Sequence, residues 1–110
     1  VTILDATSPG LQIELDGQFR DVSVRDGHLV VNFGEALNFV TQYSNRSVAA
    51  IIHRVTSQAT SNSVRHSIVY FANPELDGTL KQFNAAGQQV GSSSVANLFS
   101  RLENNLTTYE

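Results

Sequence analysis

The chain has 110 residues, of which 41% are hydrophobic and 15% charged, with a net charge of −3. That is the length of one small domain with enough apolar surface for a core, and it carries no basic field to hold a nucleic acid or an anionic membrane. No apolar run approaches the roughly 20 residues that cross a bilayer as a helix, and the lack of cysteine excludes a disulfide framework, a zinc-thiolate site and a thiol nucleophile together.

A metal, if there is one, must use His and carboxylate. The cysteine-free composition suits a reducing cytoplasm, while Asn45-Arg46-Ser47 and Asn105-Leu106-Thr107 match the glycosylation sequon, tripeptides that are frequent by chance. The opening "VTILDATSPGLQIEL" starts directly on a strand-like run, without initiator Met or leader, and is expected to begin inside a domain.

Val1 to Leu4 reads as a short strand closed by the turn residues Thr7-Ser8-Pro9-Gly10. Leu11, Ile13 and Leu15 alternate with Gln12 and Glu14, and Asp16-Gly17 predicts a hairpin into a strand carrying Phe19, Val22 and Val24. After a second turn at Asp26-Gly27, Leu29 to Phe33 supplies a third β-rich run. Ala36, Leu37, Phe39 and Val40 are spaced for about two turns of helix over Glu35 to Tyr43.

Val48 to Val55 and Val64 to Ala72 are the next strands, joined by a polar loop, and the second is closed by Asn73-Pro74. Gly91 to Asn105 begins with three serines, Ser92 to Ser94, suited to capping, and spaces Val95, Leu98, Phe99 and Leu102 as one face of a C-terminal helix. Short strands with turn signals every eight to twelve residues predict a β-sandwich, jelly roll or barrel decorated by two helices.

Polar groups fall on faces expected to be buried. Strand alternation sends Ile51, His53 and Val55 one way, with Ile52 and Arg54 opposite. In the next strand Arg65, Ser67, Val69 and Phe71 share a face, with His66, Ile68 and Tyr70 behind. Arg65 and Ser67 then lie about 7 Å apart along the strand.

His53 has a plain reading as a core histidine bonded to a carbonyl, and a sharper one as a metal ligand. An inward arginine must meet a carboxylate, because burying it unpaired costs several kcal/mol. That carboxylate is either an Asp or Glu of the chain or an anionic ligand taken by the guanidinium fork, with the Ser67 hydroxyl donating beside it. His28 and Asp5 read as turn residues, His66 as a residue of the opposite face, and Asp16-Gly17 and Asp26-Gly27 as turn formers.

The order "GLQIELDGQFRDVSVRDGHLVVNFGEALNFVTQYSN", then "HRV", then "RHSIVYFANP" resembles the C-terminal half of the catalytic core of the isopenicillin N synthase-like Fe(II)/2-oxoglutarate-dependent dioxygenases. The resemblance covers Val1 to about Asp77. It implies a mainly β fold, part of a double-stranded β-helix or jelly roll with a short internal helix and a C-terminal helix. Residues 1–77 would belong to the catalytic core and 78–110 would form an extension.

It further implies that His53 is the distal histidine of a 2-His-1-carboxylate iron site, and that Arg65 and Ser67 hold the distal carboxylate of 2-oxoglutarate. Val69 and Phe71 become candidates for the substrate-pocket wall. The implied activity couples oxidative decarboxylation of 2-oxoglutarate to oxidation of a C–H bond in a small molecule.

Two departures stand out. Glu35 occupies the place of the family's Asp after Val-Val-Asn-x-Gly, a change expected to be structural. The His-x-Asp motif that would supply the other two ligands is absent, and is expected in an N-terminal part of the same protein preceding Val1. Two alternatives stay open: an isopenicillin N synthase-type oxidase that uses no 2-oxoglutarate and binds its substrate's carboxylate through the same pair, and a non-catalytic β-barrel module that binds a carboxylate ligand.

Overall fold

Asp16 and Gly17 both adopt positive φ, 54° and 75°, the pairing that a two-residue type I′ hairpin turn requires. In the computed structural model, which describes residues 1–57 and 64–106, this turn joins β2 (Leu11–Leu15) to β3 (Gln18–Asp21). Leu15 stands opposite Gln18 and Gln12 opposite Asp21. The hairpin lies where Asp-Gly predicts it.

Six strands occupy the first of two units, Val1–Phe33 with Ala50–Ala72. The other four strands are β1 (Thr2–Ala6), β4 (Val30–Asn32), β5 (His53–Val55) and β6 (Ser67–Phe71). They form two three-stranded sheets, ordered β4-β1-β6 and β3-β2-β5, and every ladder is antiparallel. Leu4 and Leu11, one from each sheet, are the buried apolar residues of this unit among the described residues.

The strands are shorter than the sequence predicts, for reasons that lie in their partners. β5 pairs with β2 only from Leu11 to Ile13, and one further bond runs from the Glu14 N–H to the Ile52 carbonyl. Beyond Glu14 the chain enters the Asp16-Gly17 turn, so Val48 to Ile51 have no ladder to join. β6 begins at Ser67, opposite the last residue of β1, Ala6. Thr7 then takes over with its hydroxyl, accepting the His66 N–H at 2.9 Å. Asp5, expected in a turn, is a strand residue paired with Ile68.

The second unit, Gly34–Ala49 with Asn73–Glu110, contains α1 (Glu35–Thr41), β7 (Thr79–Phe83), β8 (Gln89–Ser94) and α2 (Val95–Leu106). Glu35 sits in the first turn of α1, where the helix dipole favours a carboxylate, so the exchange of Asp for Glu is compatible with the helix. Thr41 anchors the following loop by donating to the Leu37 carbonyl and accepting the Val48 N–H.

The β7–β8 hairpin is a strand pair that the sequence analysis does not predict. Gly91 to Ser94 were assigned to the beginning of a helix, yet they pair with β7, Ser93 opposite Leu80 and Ser94 opposite Thr79. The helix starts only at Val95. Of the three serines Ser94 alone caps it, its Oγ accepting the Asn97 N–H at 3.2 Å.

Val95 is fully buried and Leu98 nearly so, as the helical spacing predicts. Gln82 is buried as well, its amide donating to the Phe39 carbonyl at 2.9 Å and to Gln42 Oε1 at 3.1 Å. The loop expected around 58–63, Thr107 of the second sequon and the Leu102 side chain lie outside the described residues. No helix among the described residues is long and apolar enough to cross a membrane.

Candidate functional site

Alternation along the two sheets of the first unit turns one row of each into a common cavity of about 180 Å³. Ile51, His53 and Val55 enter from β5 and its approach, Leu11 and Ile13 from β2. From the other sheet come Thr2 and Leu4 of β1, Val30 and Asn32 of β4, and Arg65, Ser67, Val69 and Phe71. All five site residues expected from the sequence therefore line one cavity. His66 and His28 do not line it.

The face differs from the sequence expectation in its burial. His53, Ser67, Val69 and Phe71 are exposed and Arg65 is half-buried. These side chains stand on a cavity wall, so they meet open space where a core would supply packed neighbours.

His53 pairs with Ile13 in the β2–β5 ladder. Its Nδ1 lies 3.0 Å from the Ile51 carbonyl oxygen, and a carbonyl can only accept. Nδ1 therefore carries the proton, and in the neutral imidazole Nε2 keeps the lone pair that a metal would take. The carbonyl bond of the plain reading is present, and the same bond leaves Nε2 free of that contact.

Arg65 is the residue whose bonding is incomplete. Its Nε donates to the Ser8 carbonyl at 3.2 Å, while Nη2 is buried with no hydrogen-bond partner among the described residues. The Asp or Glu of an internal ion pair is absent from these contacts. A buried cationic donor without an acceptor is costly, and a carboxylate is the group that can offset that cost. Ser67, two residues along the same wall, adds a hydroxyl that can donate to the same anion.

Behind the two strands the opposite face is occupied differently. Arg54 stacks on the Phe19 ring, 3.8 Å from its centroid, and donates to Gln12 Oε1 at 2.8 Å. Gln12 in turn donates to Asp21 at 2.8 Å. Arg54 thus has its Nε and its stacked plane engaged within the sheet, whereas Arg65 Nη2 has no partner among the described residues.

Asn32 and Thr2, opposite each other in the β1–β4 ladder, are polar cavity residues that the sequence analysis did not single out. Strand parity was the available signal, since Val30 and Asn32 alternate with the exposed Val31. Among the described residues no three His, Cys, Asp or Glu side chains gather into a metal-binding group.

The family model described as the 2OG-Fe(II) oxygenase superfamily matches residues 1–74. The chain belongs to that superfamily. It is 38% identical over 71 residues to 1-aminocyclopropane-1-carboxylate oxidase 1 of Oryza sativa subsp. japonica, covering 64% of this chain and 20% of that protein. To 1-aminocyclopropane-1-carboxylate oxidase 4 of Arabidopsis thaliana it is 39% identical over 71 residues, covering 64% and 21%.

Among solved structures, full-length Neurospora crassa T7H in complex with alpha-KG and thymine superposes with a TM-score of 0.67 at 26% identity, over 94% of this chain and 34% of that one. The chain spans about a fifth of the length of the curated relatives it matches. Its fold is mainly β with two helices, part of a double-stranded β-helix, as the strand spacing and the resemblance led one to expect.

Proposed function

We propose that the whole protein is a non-haem iron oxygenase that couples oxidative decarboxylation of 2-oxoglutarate to oxidation of a C–H bond in a small molecule. The observation that carries this reading is the shared cavity wall of His53, Arg65 and Ser67, with Arg65 Nη2 buried and lacking an acceptor. Family membership and a structural relative in complex with alpha-KG support it.

In this reading His53 offers Nε2 to Fe(II), its ring oriented by the bond from Nδ1 to the Ile51 carbonyl. Arg65 and Ser67 would hold the distal carboxylate of 2-oxoglutarate, the guanidinium fork and the hydroxyl both donating to it. Fe(II) supplies the oxygen activation that links decarboxylation to substrate oxidation. Val69 and Phe71 give the substrate an apolar wall beyond the carboxylate pair. We assign the other two iron ligands, a His-x-Asp pair, to a part of the same protein N-terminal to Val1.

Residues 1–77 are assigned to the catalytic core, supported by the family match over 1–74, and 78–110 to an extension. Family membership supports a small-molecule substrate, the net charge of −3 supports the reading that no nucleic acid or anionic membrane is a partner, and we assign the protein to the cytoplasm, which its cysteine-free composition suits.

A second reading is favoured by the relatives that are named oxidases of an amino-acid carboxylate. There the Arg65-Ser67 pair holds the carboxylate of the substrate itself, and 2-oxoglutarate is not consumed. Oxygen uptake by the full-length protein with iron and 2-oxoglutarate decides between them, with succinate followed in parallel. Stoichiometric succinate supports the first reading. Oxygen uptake without succinate supports the second, and a carboxylate-binding protein with no oxygen uptake is a binding module.

A further inference from the structure

The turn Thr7 to Gly10 grips Arg65 from two directions. On the backbone side, Thr7 fixes the next residue, His66, through three contacts. The Thr7 N–H donates to the His66 carbonyl at 2.9 Å, the Thr7 hydroxyl accepts the His66 N–H at 2.9 Å, and it lies 3.2 Å from the same carbonyl as a donor. On the side-chain side, the Ser8 carbonyl holds Nε at 3.2 Å. With Nε engaged, the buried Nη2 is left without a partner among the described residues.

Gly10 gives this grip its shape. Its φ of +137° is open to glycine and strained for other residues. A Cβ at this position would fall 3.0 Å from the Thr56 carbonyl oxygen, 3.4 Å from Arg65 Cδ and 3.5 Å from Arg65 Nε. Gly10 also accepts, at its own carbonyl, the Thr56 N–H at 2.8 Å and the Thr56 hydroxyl at 3.3 Å. Thr56 directly follows the strand that carries His53. One turn thus touches the end of the His53 strand and the side chain of Arg65.

We propose that Gly10, with Thr7 and the Ser8 carbonyl, is the positioning element that sets the guanidinium of Arg65 for a dicarboxylate ligand and so determines selectivity for a co-substrate with a second carboxylate. The inference rests on the reading of Arg65 as the carboxylate-binding residue. A methyl group at Gly10 crowds the Thr56 carbonyl oxygen at 3.0 Å and strains the backbone at φ +137°, so the turn must shift and carry with it the Ser8 carbonyl that holds Nε, which moves the fork. A 2-oxo acid with one carboxylate does not reach Arg65, so its binding is indifferent to that movement.

The test is calorimetric titration of the full-length, iron-loaded protein without oxygen, with 2-oxoglutarate and with pyruvate, which has the same 2-oxo acid end and no second carboxylate. The readout is the ratio of the two dissociation constants. Gly10→Ala should lower the preference for 2-oxoglutarate about tenfold, the scale of one hydrogen bond to a charged group, while pyruvate binding stays within about twofold of the parent. Thr7→Val, which keeps a β-branched residue and loses the hydroxyl contacts to His66, should shift the ratio the same way. It serves where Gly10→Ala does not fold.

In an Arg65→Met background neither substitution should change the ratio further. If Arg65→Met collapses the preference but Gly10→Ala and Thr7→Val leave it intact, or weaken both ligands equally, the positioning role is overturned and the reading of Arg65 stands. If Arg65→Met itself leaves the ratio unchanged, both fall.

Discussion

His53 stands opposite Ile13 in the β2–β5 ladder, so the imidazole enters the cavity beside an aliphatic side chain of the neighbouring strand. Its ring is held from behind by the Ile51 carbonyl at 3.0 Å. In the full-length protein His53→Ala should abolish stable iron retention and turnover, whereas His66→Ala, which does not line the cavity, should leave both intact. Metal analysis after gel filtration measures this. Parental iron content in His53→Ala would rule out the ligand assignment.

Arg65 and Ser67 should separate by chemistry when substituted. Arg65→Lys keeps the charge but loses the planar fork, so 2-oxoglutarate should bind far more weakly than conserved charge suggests. Ser67→Ala removes one hydrogen bond to a charged group, worth about 1.5–3 kcal/mol, and should raise the 2-oxoglutarate requirement roughly ten- to a hundredfold. The succinate-forming rate against 2-oxoglutarate concentration reads both. A change confined to the requirement for the prime substrate would move the assignment to the oxidase reading.

Gly17 isolates a backbone effect far from this chemistry. Its φ is +75° and a Cβ there meets nothing within 4 Å, so Gly17→Ala carries only the cost of left-handed backbone, about 1–2 kcal/mol. Urea unfolding should show that loss, with iron and 2-oxoglutarate binding unchanged. A neutral result would mean that the hairpin relaxes to another turn type.

Legibility in the sequence followed the strength of the local signal. Asp16-Gly17 fixed a hairpin because the two residues tolerate φ angles that few others do, and strand parity put His53 on one inward face and Arg65, Ser67, Val69 and Phe71 together on another, though as faces expected to be buried and not as the walls of a cavity. The β7–β8 hairpin was missed because its strands, "TLKQF" and "QVGSSS", are mostly polar and lack the β-branched alternation that marks a strand. Its turn is held by Asn84, whose side-chain oxygen accepts the Ala86 and Gln88 N–H groups at 3.0 Å, with Gly87 at φ 76°. That pair was the available clue. The bracing of Arg65 by Ser8 was not readable at all, because a contact across 57 positions has no local signature.

The last prediction concerns the 110 residues expressed alone, which should bind iron weakly and release no succinate. A facial triad needs two histidines and a carboxylate on one octahedral face, and among the described residues His53 is the one candidate that lines the cavity. Asp5 alternates with the cavity-lining Leu4 and so faces the other way, His28 is bonded to the Asp26 carbonyl in its turn, and His66, just before β6, does not line the cavity. Among the described residues no group of three such side chains offers a substitute.

The isolated piece also leaves Ile68, Tyr70 and Val31 exposed on the sheet formed by β4, β1 and β6, which predicts aggregation at high concentration. Iron titration and oxygen-dependent succinate release, compared between the 110 residues and the full-length protein, test the ligand count. Equal activity in the two would show that the 110 residues contain a complete iron site, and the assignment of two ligands to another part of the protein would be wrong.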